Sequence, residues 1–219
     1  MTAQEMQYHF ELKINQFHRI EKSFTSTDIA MFLNQAQDDF INDRQPRFEK
    51  DEKTRLEIGS LIKSSVIVSF VSADAALHPN GQFAVLPSDY LYSIREMCTV
   101  GYTDCNSDSK TGTAKVLPVR HDEYLMNINS PFGKPYKELV WRMDYGITGL
   151  KKHELIHASD NTVTSYNLRY VRKPVAININ TGVDCELHTS VHEEIVERAV
   201  NIALNTIPQT SKETKKQSE

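Results

Sequence analysis

A chain of 219 residues holds one large domain or two small ones, and at that size folding buries roughly 70% of the surface without a metal or disulfide staple. Charged residues make up 25% and hydrophobic ones 39%, the balance of an ordinary soluble globular protein. A formal net charge of −4, from 25 basic and 29 acidic residues, lacks the electrostatic footprint for gripping nucleic acid, although a mildly acidic wall would let DNA slide past.

Met6, Phe10, Ile14 and Phe17 recur at i, i+4, i+8 and i+11, which predicts a first helix with one apolar stripe. A break follows at Lys22-Ser23-Phe24-Thr25. Ser26 or Thr27 is expected to cap a second helix, with Asp28 placed early to favour the positive helix end. Its stripe of Ile29, Phe32, Leu33, Ala36 and Phe40 is the strongest periodic signal in the chain. A third helix is expected from near Asp51, carrying Leu56, Leu61 and Ile62 inward and weakened by Gly59 and Ser60.

From about Val66 the pattern changes to short β-prone runs. These are Phe83 to Leu86 before Pro87, Tyr92 to Tyr102, Thr113 to Val119, Glu138 to Asp144, Lys152 to Ala158 and Val163 to Val171. Ser159-Asp160-Asn161-Thr162 suits a hairpin turn between the last two. The run Thr103 to Gly112, rich in Asp, Ser and Gly, reads as a long exposed hairpin loop. A short helix is expected at His121 to Asn127, stopped before Pro131.

In the final helix Ser190 and Glu193 are expected to form a capping box. Val191, Ile195, Ala199, Ile202 and Ala203 make its inward stripe, Pro208 ends it, and Ser211 to Glu219 is a polar tail with no apolar residue. Helices first, antiparallel strands in the middle and a helix at the end predict an α+β fold rather than a wound parallel sheet. The expected organisation is a single domain over 1–208, helical over 1–65, β-rich over 66–182 and closed by a C-terminal helix over 190–207. A flexible polar tail, 209–219, is expected to follow.

Cys98, Cys105 and Cys185 are too few and too irregularly spaced for a disulfide framework. Met1-Thr2-Ala3-Gln4-Glu5 lacks the basic start and apolar run of a signal peptide. The apolar stretch Val66 to Val71 falls far short of the roughly 20 residues that span a bilayer. The expectation is a protein made and kept in a reducing cytoplasm, or in a particle assembled there, with no membrane association.

The sharpest chemical motif is His153-Glu154-Leu155-Ile156-His157, which on a helix would hold zinc between two imidazoles one turn apart, with the glutamate as general base. It falls in a β-prone hairpin between Gly149 and the turn at Asp160, where residues i and i+4 lie roughly 13 Å apart. No third ligand follows at metzincin spacing, since position 163 is valine, and only the distant Glu193 or Glu194 could serve. A half-exposed strand alternating His153, Leu155 and His157 against Glu154 and Ile156 is the favoured reading.

Cys185, His188 and His192 could supply three zinc ligands, but a closed structural site needs four. A buried cysteine, a satisfied histidine and a first-turn histidine are the favoured reading. Asp104-Cys105-Asn106-Ser107-Asp108 copies the start of a calcium loop, yet Ser109 replaces the glycine and Lys115 the bidentate glutamate of an EF-hand. There is no G-x-S-x-G nucleophile string, and Gly146-Ile147-Thr148-Gly149 lacks the Lys-Ser/Thr of a phosphate loop. Arg169, Arg172 and Lys173 read as a solvated face or subunit contact. No catalytic, cofactor-binding or metal-binding residue is assigned.

Several strings together resemble the ring proteins of crAss-like phages. They are Glu5 to Phe10 leading to Phe24 to Ile29, Phe32 to Gln37, Leu86 to Leu91, His121 to Tyr124, Pro131 to Pro135, Leu168 to Pro174, and Cys185 to Leu187. The resemblance covers nearly the whole chain except the polar tail. It implies a non-enzymatic, cofactor-free virion protein of the head-tail adaptor kind, stacked below the portal as a homo-oligomeric ring of twelve copies around the DNA exit channel. It also implies contacts with the portal protein and other connector or tail rings, and passage of genomic DNA without specific binding. Pro87-Ser88-Asp89 and Asp122-Glu123 then read as fold-defining turns and caps. Thr103 to Gly112 and the C-terminal tail become the reaches toward a neighbouring subunit or ring. The competing readings are a zinc-dependent hydrolase on His153, Glu154 and His157, which requires a helix through 150–160, and a tail-tube or capsid-vertex component.

Overall fold

The computed structural model describes residues 1–17, 24–72, 78, 80–130, 133–147 and 150–206. The expectations at Lys22-Ser23, Pro131, Thr148-Gly149, Pro208 and the tail 209–219 lie outside the described residues. In chain order the elements are α1 (Ala3–Phe17), α2 (Ser26–Arg44), α3 (Glu52–Glu57), β1 (Ile62–Ile67), β2 (Phe70–Ser72), β3 (Gly81–Val85) and β4 (Tyr90–Thr103). There follow β5 (Ser109–Pro118), α4 (Tyr124–Asn129), β6 (Leu139–Ile147), β7 (Leu150–Ile156), β8 (Asn161–Arg172) and α5 (His192–Thr206). The fold is mixed α+β, with a large sheet between helices at either end of the chain. It divides into two compact units, one of Met1–Leu61 with Pro174–Glu219 and one of Ile62–Lys173. The expected change from helix to strand at 65/66 and end of the β-rich stretch at 182 compare with strands running from Ile62 to Arg172.

In the helical unit, the apolar stripe of α1 buries Ala3, Met6, Phe10 and Ile14. Thr2 and Glu5 cap it reciprocally: Thr2 Oγ1 accepts from the Glu5 amide at 3.2 Å, and Glu5 Oε2 from the Thr2 amide at 2.9 Å. On α2 the predicted stripe is buried together with Gln37 and Ile41, and the ring of Phe32 stacks on Phe10 at 6.2 Å. The cap of α2 is Thr25 rather than Ser26 or Thr27, because the box needs an acid three residues on and Asp28 stands there. Helix α3 stops at Glu57; Leu61 is buried as expected, but Leu56 is exposed to 62% with Ile58 buried in its place, and Ile62 already belongs to β1. The expected inward face there is corrected by Glu57, which Arg44 draws inside at 3.1 Å.

The expected capping box at Ser190 and Glu193 does not form. A single 3-10 turn, Thr189–Val191, precedes α5 and the His188 ring accepts from the Ser190 amide. Glu193 has a better partner in Lys13, 2.6 Å away. The inward stripe of α5 is seen at Ile195, Val196, Ala199, Val200 and Ala203. Before α5, the segment after Pro174 is fastened along α2: Asn34 accepts from the Ile177 amide at 2.7 Å and donates to its carbonyl at 3.0 Å. A tight turn then bridges Asn178 to Val183 and holds Gly182 at φ 72, a conformation that suits glycine.

In the second unit the eight strands form one sheet in the order β1-β8-β4-β5-β6-β7-β3-β2. Its two edge strands, β1 and β2, are separated along the chain only by Val68 and Ser69. Three Cα steps reach about 11 Å at most, whereas a flat eight-stranded sheet would hold its edges about 33 Å apart. The sheet therefore rolls into a barrel, with the bent segment 62–72 bringing its edges together. Bulges near Tyr90/Tyr92, Ser93/Arg95 and Thr99/Val100 in the β4–β8 pairing help it curl.

The sheet is not wholly antiparallel as expected. β5 and β6 run parallel, because the chain between them crosses over through α4. The barrel interior is filled by Ala84, Leu86, Cys98, Val100, Ala114, Val116, Val140, Leu155, Val163, Tyr166, Leu168 and Tyr170. Outside β6 and β7, Tyr124 and Ile128 of α4 cover Trp141, Met143 and Ile156. Helix α4 spans Tyr124–Asn129 rather than His121 to Asn127, and Glu123 at its cap position makes no side-chain capping bond. The expected turn at Pro87 is present, closed by Tyr90 N donating to Pro87 O at 3.0 Å.

Candidate functional site

The His-Glu string lies on β7, so successive side chains point to opposite faces. The half-exposed strand expected there is corrected: His153, Glu154, Leu155 and Ile156 are all buried, because the barrel covers one face and the region under α4 the other. His153 points inside. Its Nε2 lies 3.2 Å from Asp144 Oδ1 and its Nδ1 lies 2.7 Å from Tyr166 Oη. Glu154 points outside and pairs with the His78 ring at 2.7 Å, beside Tyr124. His157 Nδ1 bonds the Ala158 carbonyl at 2.8 Å. The helix that the hydrolase reading requires is a strand: Glu154 faces away from His153, and the two histidines stand four extended residues apart rather than one helical turn.

Around His153 lies a polar cluster, mostly buried at Arg142 and Glu96 and open to solvent at Asp144. Arg142 Nη1 donates to Ser93 Oγ at 3.1 Å and Glu96 Oε1 at 3.0 Å, and lies 3.4 Å from Asp144 Oδ1. Arg142 Nε and Glu96 Oε2 are buried without a hydrogen-bond partner. The His153 hydrogen bond, ahead of the Arg142 charge, holds the Asp144 carboxyl below its usual range. Burial, then Glu96, pushes the Tyr166 phenol far above its ordinary value. The cluster links β4, β6, β7 and β8 across the interior. Sequence reasoning missed Glu96, Arg142 and Tyr166. The available signal was Arg142 itself, a cation interrupting the apolar run Val140-Trp141-Met143.

The other candidate residues are likewise engaged. Cys185 Sγ donates to Gln37 Oε1 at 3.1 Å, His188 Nδ1 lies 2.8 Å from Ser190 Oγ, and His192 Nε2 donates to the Leu187 carbonyl at 2.9 Å. Burial pushes the Cys98 thiol up to about 12 and Cys185 up to about 11, the reverse of an activated cysteine. The stretch expected as a long loop, Thr103 to Gly112, is a shorter one, since β4 runs to Thr103 and β5 starts at Ser109, leaving 104–108 as the hairpin turn. Its turn is closed by Asp104 N to Asp108 O at 2.9 Å and Ser107 N to Asp104 O at 2.8 Å, with Asp104 paired to Lys110. Among the described residues, no three His, Cys, Asp or Glu side chains converge as metal ligands.

What the molecule offers outward is surface. Leu125 and Met126 on α4 are 68% and 77% exposed, and Val66, Val68 and Val71 line the bent segment that closes the barrel. On α1, Tyr8 and Leu12 face outward beside Glu5 and Glu11. Charge is divided between the units. Residues Met1–Leu61 and Pro174–Glu219 hold 12 basic and 18 acidic side chains, against 13 and 11 in Ile62–Lys173, so net −6 and +2 make up the −4 of the chain. On the outer face of the barrel Arg95 of β4 stands directly opposite Arg169 of β8, both exposed. Among the described residues neither has an ion-pair or hydrogen-bond partner.

The barrel and the helical unit each present outward apolar and charged side chains, and among the described residues no cluster of metal ligands accompanies them. The profile of the family described as Phage tail ring protein 3/4 matches residues 1–216, and the chain belongs to that family, the ring proteins of crAss-like phages. It is similar to ring protein 4/5 of Bacteroides phage crAss001, 26% identical over 166 residues, covering 72% of this chain and 66% of that one, just under two thirds of its length. It is also similar to ring protein 3 of the same phage, 26% identical over 218 residues, covering 87% and 90%. This is a structural phage ring protein.

Proposed function

We propose that the chain is one subunit of a homo-oligomeric ring in the head-to-tail connector of a tailed phage. The ring lies between portal and tail, with twelve copies around the DNA exit channel. The family match carries this reading, because it runs through both compact units of the chain. The protein is non-enzymatic on this reading and needs no cofactor: the motif histidines, the glutamate and two of the cysteines are spent on packing and internal hydrogen bonds. Residues 1–208 act as one head-tail adaptor-like connector domain, assembled in the host bacterial cytoplasm and in contact with portal and neighbouring rings. Its net charge of −4 supports a channel wall that DNA passes without specific binding.

Electron microscopy of the phage particle tests the reading. Twelve copies at the neck, next to the portal, are expected. A stoichiometry unrelated to the portal, or density in the tail tube or at other capsid vertices, overturns it. The polar tail 209–219 reaches a neighbouring subunit on the same reading, and its deletion is expected to weaken assembly; unchanged assembly would remove that role.

A further inference from the structure

We propose that the ring closes by docking the arginine-bearing outer face of one barrel against the acidic outer face of α1 in the neighbouring copy, an inference that rests on the ring reading above. A closed ring needs a heterologous contact, two different patches on every subunit that complement each other. The charge division supplies two such patches, since the barrel segment is net basic and the helical segments strongly acidic.

The barrel patch is defined by strand register. Arg95 and Arg169 are paired across β4 and β8, and the next outward pair along β4 is Met97 opposite Asn167, with Lys115 of β5 opposite Met97. The neighbouring strand β1 adds Ser64 opposite Arg169 and Val66 opposite Asn167. No carboxylate stands among these positions. Two like charges directly opposite on a sheet weaken the free barrel, and an anionic surface relieves them. The α1 patch has the matching character: Glu5 and Glu11 flank Tyr8 and Leu12, exposed to 63% and 42%. Arginine over tyrosine, with methionine and valine against leucine, is the composition of a protein–protein contact. A phosphate backbone would use the cations and leave Met97 and Val66 in water, so a second copy fits the patch better than DNA.

A charge swap tests the contact, read by native mass spectrometry and electron microscopy of purified protein, with thermal melting as the folding control. Wild-type protein is expected to form rings. Arg95→Glu with Arg169→Glu, and separately Glu11→Arg with Asn15→Arg, should each raise the concentration needed for rings at least tenfold. Combining all four substitutions should restore it. Arg169→Glu alone replaces the like-charge opposition with an opposite-charge pair and is expected to melt no lower than wild type, and Arg95→Gln with Arg169→Gln should give a smaller loss. Rings unaffected by the arginine reversal overturn the proposal, as does failure of the combined protein to recover when both pairs fold. Duplex DNA binding that vanishes with the arginine reversal while rings persist also overturns it. Wild-type protein that forms no homo-oligomeric ring refutes the ring reading itself, and the contact with it.

Discussion

With Nη1 of Arg142 shared among Ser93, Glu96 and Asp144, removing the guanidinium strands the Glu96 carboxylate in the barrel interior. Arg142→Met is expected to cost about 3 kcal/mol, because the surviving partner of a broken buried pair is left uncompensated. Arg142→Met together with Glu96→Leu should recover most of that, since an apolar pair in the same space needs no compensation. Urea denaturation of the three proteins measures this; a single-variant cost below about 0.5 kcal/mol would show that water reaches Glu96. Thiol accessibility follows the same division of inside from outside. Cys105 is exposed while Cys98 and Cys185 are buried. One thiol is therefore expected to react with an aromatic disulfide reagent in the folded protein and all three after unfolding. Rapid reaction of Cys98 in the folded state would contradict the closed barrel.

At the scale of elements, the β4–β5 turn holds Ser107 at φ 66, a left-handed conformation that costs an ordinary residue free energy. Ser107→Gly is expected to stabilise the protein by about 0.5 kcal/mol, net of the extra backbone entropy glycine loses on folding. Thr25→Ala removes the α2 capping box and should cost about 1 kcal/mol. Both can be read as shifts of the urea midpoint. The helices also carry a pH dependence. Arg198 holds Asp43 below its ordinary value and Lys13 does the same for Glu193. These folded-state values are depressed, so the stabilisation is complete above the ordinary carboxylate range and is lost as pH falls through them. Burial opposes the charge on Lys13, but Glu193 and Glu197 outweigh it and raise its value, so its contribution is complete below the ordinary lysine range and fades only in strong alkali. Helical circular dichroism is expected to hold across neutral pH and decline below about pH 4; a flat acid profile would deny these pairs any role. The hairpin expected across 159–162 does not form, since β7 pairs with β6 and β3 and β8 with β1 and β4, but the stripe of α2 was legible from its local period. The burial of both His153 and Glu154 was not, since alternation reveals two faces but not that distant β4 and α4 would cover both.

Across the whole molecule, the rolled sheet and its parallel β5–β6 pair were hidden in the sequence because they depend on pairings between distant segments, such as β1 with β8. The charge division was hidden for a related reason, as the acidic segments are split between the two ends of the chain. If opposite patches hold the ring together, assembly should weaken as salt rises, since surface charge attraction is screened within about 10 Å at 0.1 M. Sedimentation across a salt series checks this; assembly that strengthens with salt would point to an apolar contact, with Leu125 and Met126 the first residues to test.

The pairing of Ile62 with Val171 has a consequence of another kind. The chain leaves the helices through β1 and comes back through β8, and across such an antiparallel pair the two backbones are about 5 Å apart. In effect the barrel is a parenthesis opened and closed at one spot in an otherwise helical sentence. Excising Ile62–Lys173 and bridging the gap with about four glycine and serine residues leaves the helical core its own ends to rejoin. A cassette spliced in at adjacent points can be enlarged, trimmed or exchanged without disturbing its host, giving a lineage of such proteins a way to reshape one unit while keeping the other.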